Sequence, residues 1–365
     1  MTTADLFSPD PAGRDLLRVH SLAVTFHQGR FIPAVQDVGY RVEPDQAVAL
    51  VGMSGSGKTV STLSVFGLGG ANPGVTGGQA WCRGENLLEG LGHAVQSRRT
   101  PAGRILRKDA AWEKLFRRRA RQYLGATVGF IFQEPILALD PCYTIGEHLA
   151  EVYHRHDASI SRSAARERAV EDLVRVNIRT AAAVADKFPH QLSGGMCQKV
   201  VILLALASNP ALIIADEPTT ALDSVSQVEV LDLLFRERAR RKLGILFITH
   251  DVKLLQERFD RIAVLCRGYL VEWGERRHYF GSRPDLLHPY TRNLFGHRMA
   301  EGAGEAAEPD SAAGLDGGCP ALAECSQATD LCRRLPGFVE VEPGHYVRCH
   351  QANPNIIVEH SGGRN

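Results

Sequence analysis

The chain has 365 residues, with 42 Lys+Arg set against 41 Asp+Glu. That length fits one large domain with an appendage, or two modest domains, and the charge balance gives no bulk case for a nucleic-acid binder. The longest clean apolar run, VVILLALA at 200–207, falls far short of the roughly 18–20 residues that span a bilayer, and the opening MTTADLFSPDPAGRD lacks the basic and apolar regions of a signal peptide, so a soluble, cytosolic chain is expected.

In chain order, LLRVHSLAVTF and AVQDVGYRV read as strands. AVALVG (47–52) is an apolar run stopped by a glycine, as in a strand buried on both faces. GMSGSGKT, from Gly52 to Thr59, comes next, and VSTLSVFGL continues as a helix. This is G-x-x-x-x-G-K-[ST] in the strand–loop–helix setting that the pattern needs. Gly52, Gly55 and Gly57, with Ser54 and Ser56 between them, let backbone N–H groups converge on phosphate oxygens. The helix start adds the positive end of its dipole, Lys58 a charge for the β and γ phosphates, and Thr59 a hydroxyl for Mg²⁺.

Residues 98–122, RRTPAGRILRKDAAWEKLFRRRARQ, are densely basic, with Trp112, Leu115 and Phe116 interleaved. They read as a solvated helix covering one side of the domain. Contact with acidic lipid headgroups or an acidic partner is the second reading, and RNA the third. In SAARERAVEDLVRV, Ala169, Leu173 and Val176 recur at helical spacing. ALIIAD (211–216) and GILFITH (244–250) are again apolar strands that run into polar residues. Strands alternating with helices imply an α/β fold around a mainly parallel sheet. At the end of one strand, LIIADEP puts Asp216 where it can hold Mg²⁺ through water and Glu217 where it can polarise an attacking water.

The stretch 300–318, rich in Ala, Gly and Glu without apolar periodicity, reads as a flexible linker. Of the eight cysteines, Cys82, Cys142, Cys197 and Cys266 are scattered and read as small buried or neutral thiols. The other four, Cys319, Cys325, Cys332 and Cys349, gather at the end of the chain, where a disulfide framework is the weaker reading for a cytosolic protein.

HQLSGGMCQK (190–199) lies between the phosphate loop and ADEP. With all three in this order, the chain resembles the ATP-binding subunits of ABC transporters. The resemblance implies that Gln133 in FIFQEP is the glutamine loop, which senses Mg²⁺. It also implies that ALD, ending at Asp223, is the D-loop, that His250 is the switch histidine, and that Phe26 stacks on adenine, with Phe31 competing. Ser193, Gly194 and Gly195 would form a second N–H cradle, facing the γ-phosphate held by a partner. The chain would therefore be half of a pair, most simply with a second, homologous ATPase. QEPILALDP, FPHQLSGGM, DEPTTALD and HPYTRNLF further resemble the subset serving oligopeptide, dipeptide and nickel uptake.

That subset implies an ABC ATPase domain over about 1–300, with a helical subdomain at about 135–200 and the basic insertion at 98–122. A linker at 301–318 and a cysteine-rich tail at 319–365 come after it. In the tail, CPALAEC, DLC and EPGHYVRC give C-x5-C-x6-C-x16-C, which the subset implies is a [4Fe–4S] site; zinc and free thiols stay open. Two membrane-spanning permease subunits and an extracytoplasmic solute-binding protein are the implied partners, at the cytoplasmic face of the membrane, with import favoured. The alternative is a soluble, non-transport ATPase acting on nucleic acid or a multi-enzyme complex, supported only by the basic stretch. Met53, Cys197 and Lys199 depart from residues common in the family.

Overall fold

A computed structural model describes residues 1–8, 13–70, 73–100, 103–296 and 317–352. Most of the linker expected at 301–318, and the tail beyond 352, lie outside the described residues. The chain divides into two compact units, one of Met1–Arg41, Val48–Arg117 and Thr249–Asn365, the other of Val42–Ala47 and Arg118–Ile248.

A helical turn, α1 (Thr3–Leu6), leads into strands β1 (Leu17–Gln28), β2 (Arg30–Val42) and β3 (Ala47–Val51). Next come helix α2 (Lys58–Val65), β4 (Pro73–Cys82), β5 (Glu85–Asn86), α3 (Leu91–Ala94), β6 (Val95–Thr100), β7 (Gly103–Lys108) and α4 (Ala110–Tyr123). The middle of the chain holds β8 (Val128–Ile131), α5 (Ile145–His156), α6 (Arg162–Arg175), α7 (Ala181–Ala185), α8 (Gly194–Ala207), β9 (Leu212–Asp216), α9 (Ser224–Arg241) and β10 (Gly244–Thr249). It closes with β11 (Arg261–Cys266), β12 (Tyr269–Glu275), α10 (Arg276–Tyr279), α11 (Pro289–Leu294), β13 (Val339–Glu342) and β14 (His345–Val347).

In the first unit the strands run β5-β4-β1-β2-β12-β11-β3. The β3–β11 pair is parallel, from Arg261↔Val48 to Val264↔Val51. The β1–β4 pair, β11–β12 and the tail strand β14 on β12 are antiparallel. All five residues of β3 are buried, which is why its sequence is continuously apolar rather than alternating. Phe7 packs edge-on against Trp273 with ring centroids 5.2 Å apart.

The second unit keeps a purely parallel arrangement, β8–β9–β10, with Leu212 paired to both Val128 and Gly244. Every residue of β9 and β10 is buried. Its helices begin on side-chain caps: Thr144 and Glu147 form a reciprocal capping box at α5, and Ser161 caps α6. Ala169, Leu173 and Val176 are buried as their spacing requires. The parallel pairing expected of an α/β core is thus present in the second unit, and the first unit mixes parallel and antiparallel pairs. Burial alone does not distinguish the two pairings.

The basic stretch differs from the expected continuous helix. Its first part is a hairpin, β6–β7, paired from Val95↔Lys108 to Thr100↔Gly103. Pro101 and Gly103 in the sequence oppose a helix there, because proline gives no N–H and glycine gains no helical preference. Only α4 is helical. It buries Trp112, Phe116 and Ala120 at a four-residue spacing and leaves Lys114, Arg117, Arg118 and Arg121 exposed. Trp112 stacks on Phe116 at 5.2 Å and donates its indole N–H to the Glu89 carbonyl at 2.8 Å. No helix among the described residues is long and apolar enough to cross a membrane.

Burial holds His288 down at about 3 and His278 down at about 4, from an ordinary 6.5. Both are therefore neutral in the fold, and the unfolded chain takes up more protons below pH 6.5. Their contribution is complete above that pH and is lost as pH falls, by about 1.4 kcal/mol per pH unit for each group. The denaturation midpoint is expected to fall between pH 7 and pH 5; a flat midpoint across that range in a pH series of melts would contradict this.

Candidate functional site

In the first unit the phosphate loop leaves β3 at Gly52, whose φ is 155°. A Cβ there would collide with the Leu265 carbonyl, so the close approach of β11 demands glycine. Lys58 is 5% exposed. Its ammonium folds back to donate to the carbonyls of Gly52 (2.9 Å) and Met53 (3.0 Å). The Met53 carbonyl also accepts the Ser56 N–H at 3.2 Å, and the Ser56 carbonyl accepts that of Gly268 at 3.0 Å. Ser54 and Gly55 are exposed, Ser56 is buried and Thr59 half-buried. Helix α2 starts from Gly57, in a left-handed conformation, with no side-chain cap. Its leading N–H groups and the Lys58 charge suit an anion.

In the second unit Asp216 ends β9, 4% exposed. Glu217 comes directly after it at φ 44°, a left-handed conformation costing about 1–3 kcal/mol for a non-glycine residue. It is fixed there by its N–H, which donates to the Ile248 carbonyl at 2.9 Å. The Thr220 hydroxyl donates to Glu217 Oε2 at 2.9 Å, and Gln133 Nε2 stands 3.5 Å from the same oxygen. Gln133 and Glu217 are thus brought together. Thr220 is a partner that motif reasoning missed, although DEPTTALD displays it. His250, in the first unit, is exposed directly after β10.

Ser193 caps α8 by accepting the Met196 N–H at 3.4 Å. A Cβ on Gly195 would lie 2.9 Å from Ser226 Oγ, whereas one on Gly194 meets nothing closer than 3.8 Å. Gly195 therefore answers to packing against the start of α9, and Gly194 does not. Asp223 caps α9, accepting from the N–H groups of Val225 (3.1 Å) and Ser226 (3.0 Å) and from the Ser226 hydroxyl (2.7 Å). These bonds, Ser226 first, hold its carboxyl below the usual range. Asp223, the last residue of the ALD segment, thus has a helix-capping role within its own chain. Phe26 is half-buried near the end of β1, opposite Pro73. The competing Phe31 packs on His27 at 4.8 Å.

All eight cysteines are free thiols. Cys319, Cys332 and Cys349 are buried and Cys325 half-buried. Burial, then the neighbouring thiols, push Cys319 up to about 11, and the same causes raise Cys325 and Cys349. The Cys319 N–H donates to the Cys332 carbonyl at 2.8 Å, and the Gln351 N–H to Cys349 Sγ at 3.4 Å. The thiols are neighbours, yet among the described residues no group of three or more His, Cys, Asp or Glu side chains is placed to hold a metal ion. The expected [4Fe–4S] ligation is therefore not carried by this geometry.

Gly195→Ala is expected to cost about 1–3 kcal/mol of unfolding free energy through overpacking against Ser226, and Gly194→Ala less than about 0.5 kcal/mol. Equal losses in denaturant unfolding would contradict the packing difference.

The profile described as "ABC transporter" matches residues 35–220. The oligopeptide transport ATP-binding protein OppD of Mycobacterium tuberculosis is 36% identical over 343 residues, 92% of this chain and 51% of that protein. The chain thus spans about half the length of the mycobacterial relatives it matches. The dipeptide transport ATP-binding protein DppD of Escherichia coli is 33% identical over 344 residues, covering 92% of this chain and 96% of that protein. Among solved structures, the dimeric ATP-binding cassette MJ0796 in a post-hydrolysis state bound to ADP and Pi has a TM-score of 0.56 at 25% identity, covering 72% of this chain and 99% of that one. With these matches added to the phosphate loop and the paired Gln133 and Glu217, the chain belongs to the ABC transporter family.

Proposed function

We propose that this chain binds and hydrolyses ATP to power the import of a peptide-like solute through separate membrane-spanning subunits. The observation that carries the reading is the loop in which buried Lys58 folds onto the Gly52 and Met53 carbonyls beside the uncapped start of α2. It is a preformed cradle for a polyphosphate, and the peptide-transport names of the relatives give the solute class. In this reading Gly52, Ser54, Gly55, Ser56, Gly57 and Lys58 hold the phosphates, and Phe26 stacks on the adenine. Thr59, Asp216 and Gln133 would hold Mg²⁺, which supplies charge neutralisation on the β and γ phosphates. Glu217 accepts a proton from the attacking water, with Thr220 and Gln133 fixing its carboxylate. His250 orients that water by a hydrogen bond to the γ-phosphate.

Ser193, Gly194 and Gly195 would serve the nucleotide of a second, homologous ATPase. Gly194, which its own chain leaves uncrowded, is the residue of this set with room for an approaching phosphate. Two ATP molecules then bridge the pair, and cleavage reopens it. Two permease subunits and an extracytoplasmic solute-binding protein complete the assembly at the cytoplasmic face of the membrane. Glu217→Gln keeps the hydrogen-bonding shape but cannot accept the proton. It is expected to retain ATP binding and lose at least about tenfold in hydrolysis. Wild-type turnover in the paired assembly would remove Glu217 from this role.

A [4Fe–4S] cluster on Cys319, Cys325, Cys332 and Cys349 belongs to the same proposal. Its support is the C-x5-C-x6-C-x16-C spacing and the burial of Cys319, Cys332 and Cys349, the first two tied by a backbone hydrogen bond. Its role would be to pin the tail. Anaerobically purified protein should contain iron and acid-labile sulfide in a cluster-like ratio. Their absence, or stoichiometric zinc in their place, would refute the assignment.

A further inference from the structure

The HPYTRNLF and EPGH segments mark the family resemblance without having a chemical role in ATP binding or hydrolysis. The structure brings both to one buried carboxylate in the first unit. Glu272 on β12 is fully buried. Its Oε1 lies 2.7 Å from Nε2 of His345, the first residue of tail strand β14, and its Oε2 accepts the backbone N–H of His288 at 2.9 Å. His288 in turn caps α11, its Nδ1 accepting the Tyr290 N–H at 3.1 Å. Pro289 occupies the first helical position, where a missing N–H costs nothing. The Tyr290 hydroxyl then accepts the N–H of Met53 at 2.9 Å.

Met53 is the first variable residue of the phosphate loop, and it is held from both sides. Tyr290 takes its N–H, while Lys58 and Ser56 donate to its carbonyl. We infer that Tyr290 is a positioning residue for the phosphate loop, and that Glu272 joins it to the C-terminal tail, so that docking of β14 sets the affinity of the loop for nucleotide. Tyr290 is assigned no contact with phosphate or Mg²⁺. It acts by fixing the residue whose carbonyl holds the Lys58 ammonium. The Tyr290 residue is 7% exposed, and its oxygen acts in this bond as the acceptor. Without the Tyr290 oxygen the Met53 N–H loses the bond that fixes the loop on that side. A loop released at Met53 must be re-ordered each time a nucleotide binds, which weakens binding.

The inference rests on the phosphate loop being the ATP site, so the test includes Lys58→Ala. Equilibrium titration of the full chain with Mg-ADP and Mg-ATP would compare wild type, Lys58→Ala, Tyr290→Phe, His345→Gln and the Tyr290→Phe/His345→Gln double variant. Hydrogen exchange of the Met53 amide would be followed in each. Tyr290→Phe should weaken both nucleotides roughly three- to tenfold, the equivalent of one hydrogen bond, and speed exchange at Met53. His345→Gln should weaken them less, and add nothing in the double variant. Unchanged affinity in Tyr290→Phe, with Lys58→Ala defective, overturns the role of Tyr290 while leaving the ATP site intact. Additive losses in the double variant overturn the junction at Glu272. Binding that survives Lys58→Ala removes the ATP-site reading itself, and the inference with it. If Tyr290→Phe does not fold, wild type decides alone: slow exchange at Met53 without nucleotide is required, and rapid exchange refutes the bond.

Discussion

Every helix starts with N–H groups that have no partner inside it, and how this chain treats them organises its chemistry. Thr144, Ser161 and Asp223 satisfy them with side-chain oxygens at α5, α6 and α9. Those caps are worth roughly 1 kcal/mol each to the fold. At α2 the chain withholds a cap, placing Gly57 there instead. The positive end of that helix stays open beside a buried ammonium. Gly90 at α3 and Thr180 at α7 likewise give no side-chain cap, and it is the buried ammonium of Lys58 that sets the start of α2 apart.

That arrangement needs rigid support, because a buried ammonium and a left-handed glutamate each raise the energy of the folded chain. The support is the set of strands buried along their whole length: β3 behind the phosphate loop, and β9 and β10 behind Asp216 and Glu217. Carbonyls at the end of β3 take up the Lys58 charge, and the Ile248 carbonyl fixes Glu217 in its unusual conformation. Packing of apolar strands thus sets the position of the polar groups at their ends, in part through the strands' own carbonyls.

Much of this is legible in the sequence because it depends on local rules. AVALV, LIIAD and GILFIT announce buried strands by continuous hydrophobicity, and the glycines of GMSGSGKT announce a loop with particular backbone geometry. Two kinds of feature are not legible. The hairpin β6–β7 lies in a basic stretch whose composition suggests a helix, and its turn signals, Pro101 and Gly103, are outweighed by the helical character of residues 110–122. The bonds at Glu272 are invisible for a different reason. His345 is 73 residues from Glu272, and no periodicity reports a contact between a tail strand and the middle of a sheet. Asp223 is a local case, since its capping bonds reach only two and three residues along the chain.

The central claim, an ATPase that works through separate membrane subunits, is most directly tested by what the chain holds on to in its host. A tagged copy would be purified after gentle solubilisation of the membranes, and its companions identified. Two polytopic membrane proteins and a second, homologous ATPase are the predicted companions, with an extracytoplasmic binding protein accompanying them if the direction is inward. Recovery only from the soluble fraction, with nucleic acid or a multi-enzyme complex attached, would contradict the claim and shift attention to the basic face of α4.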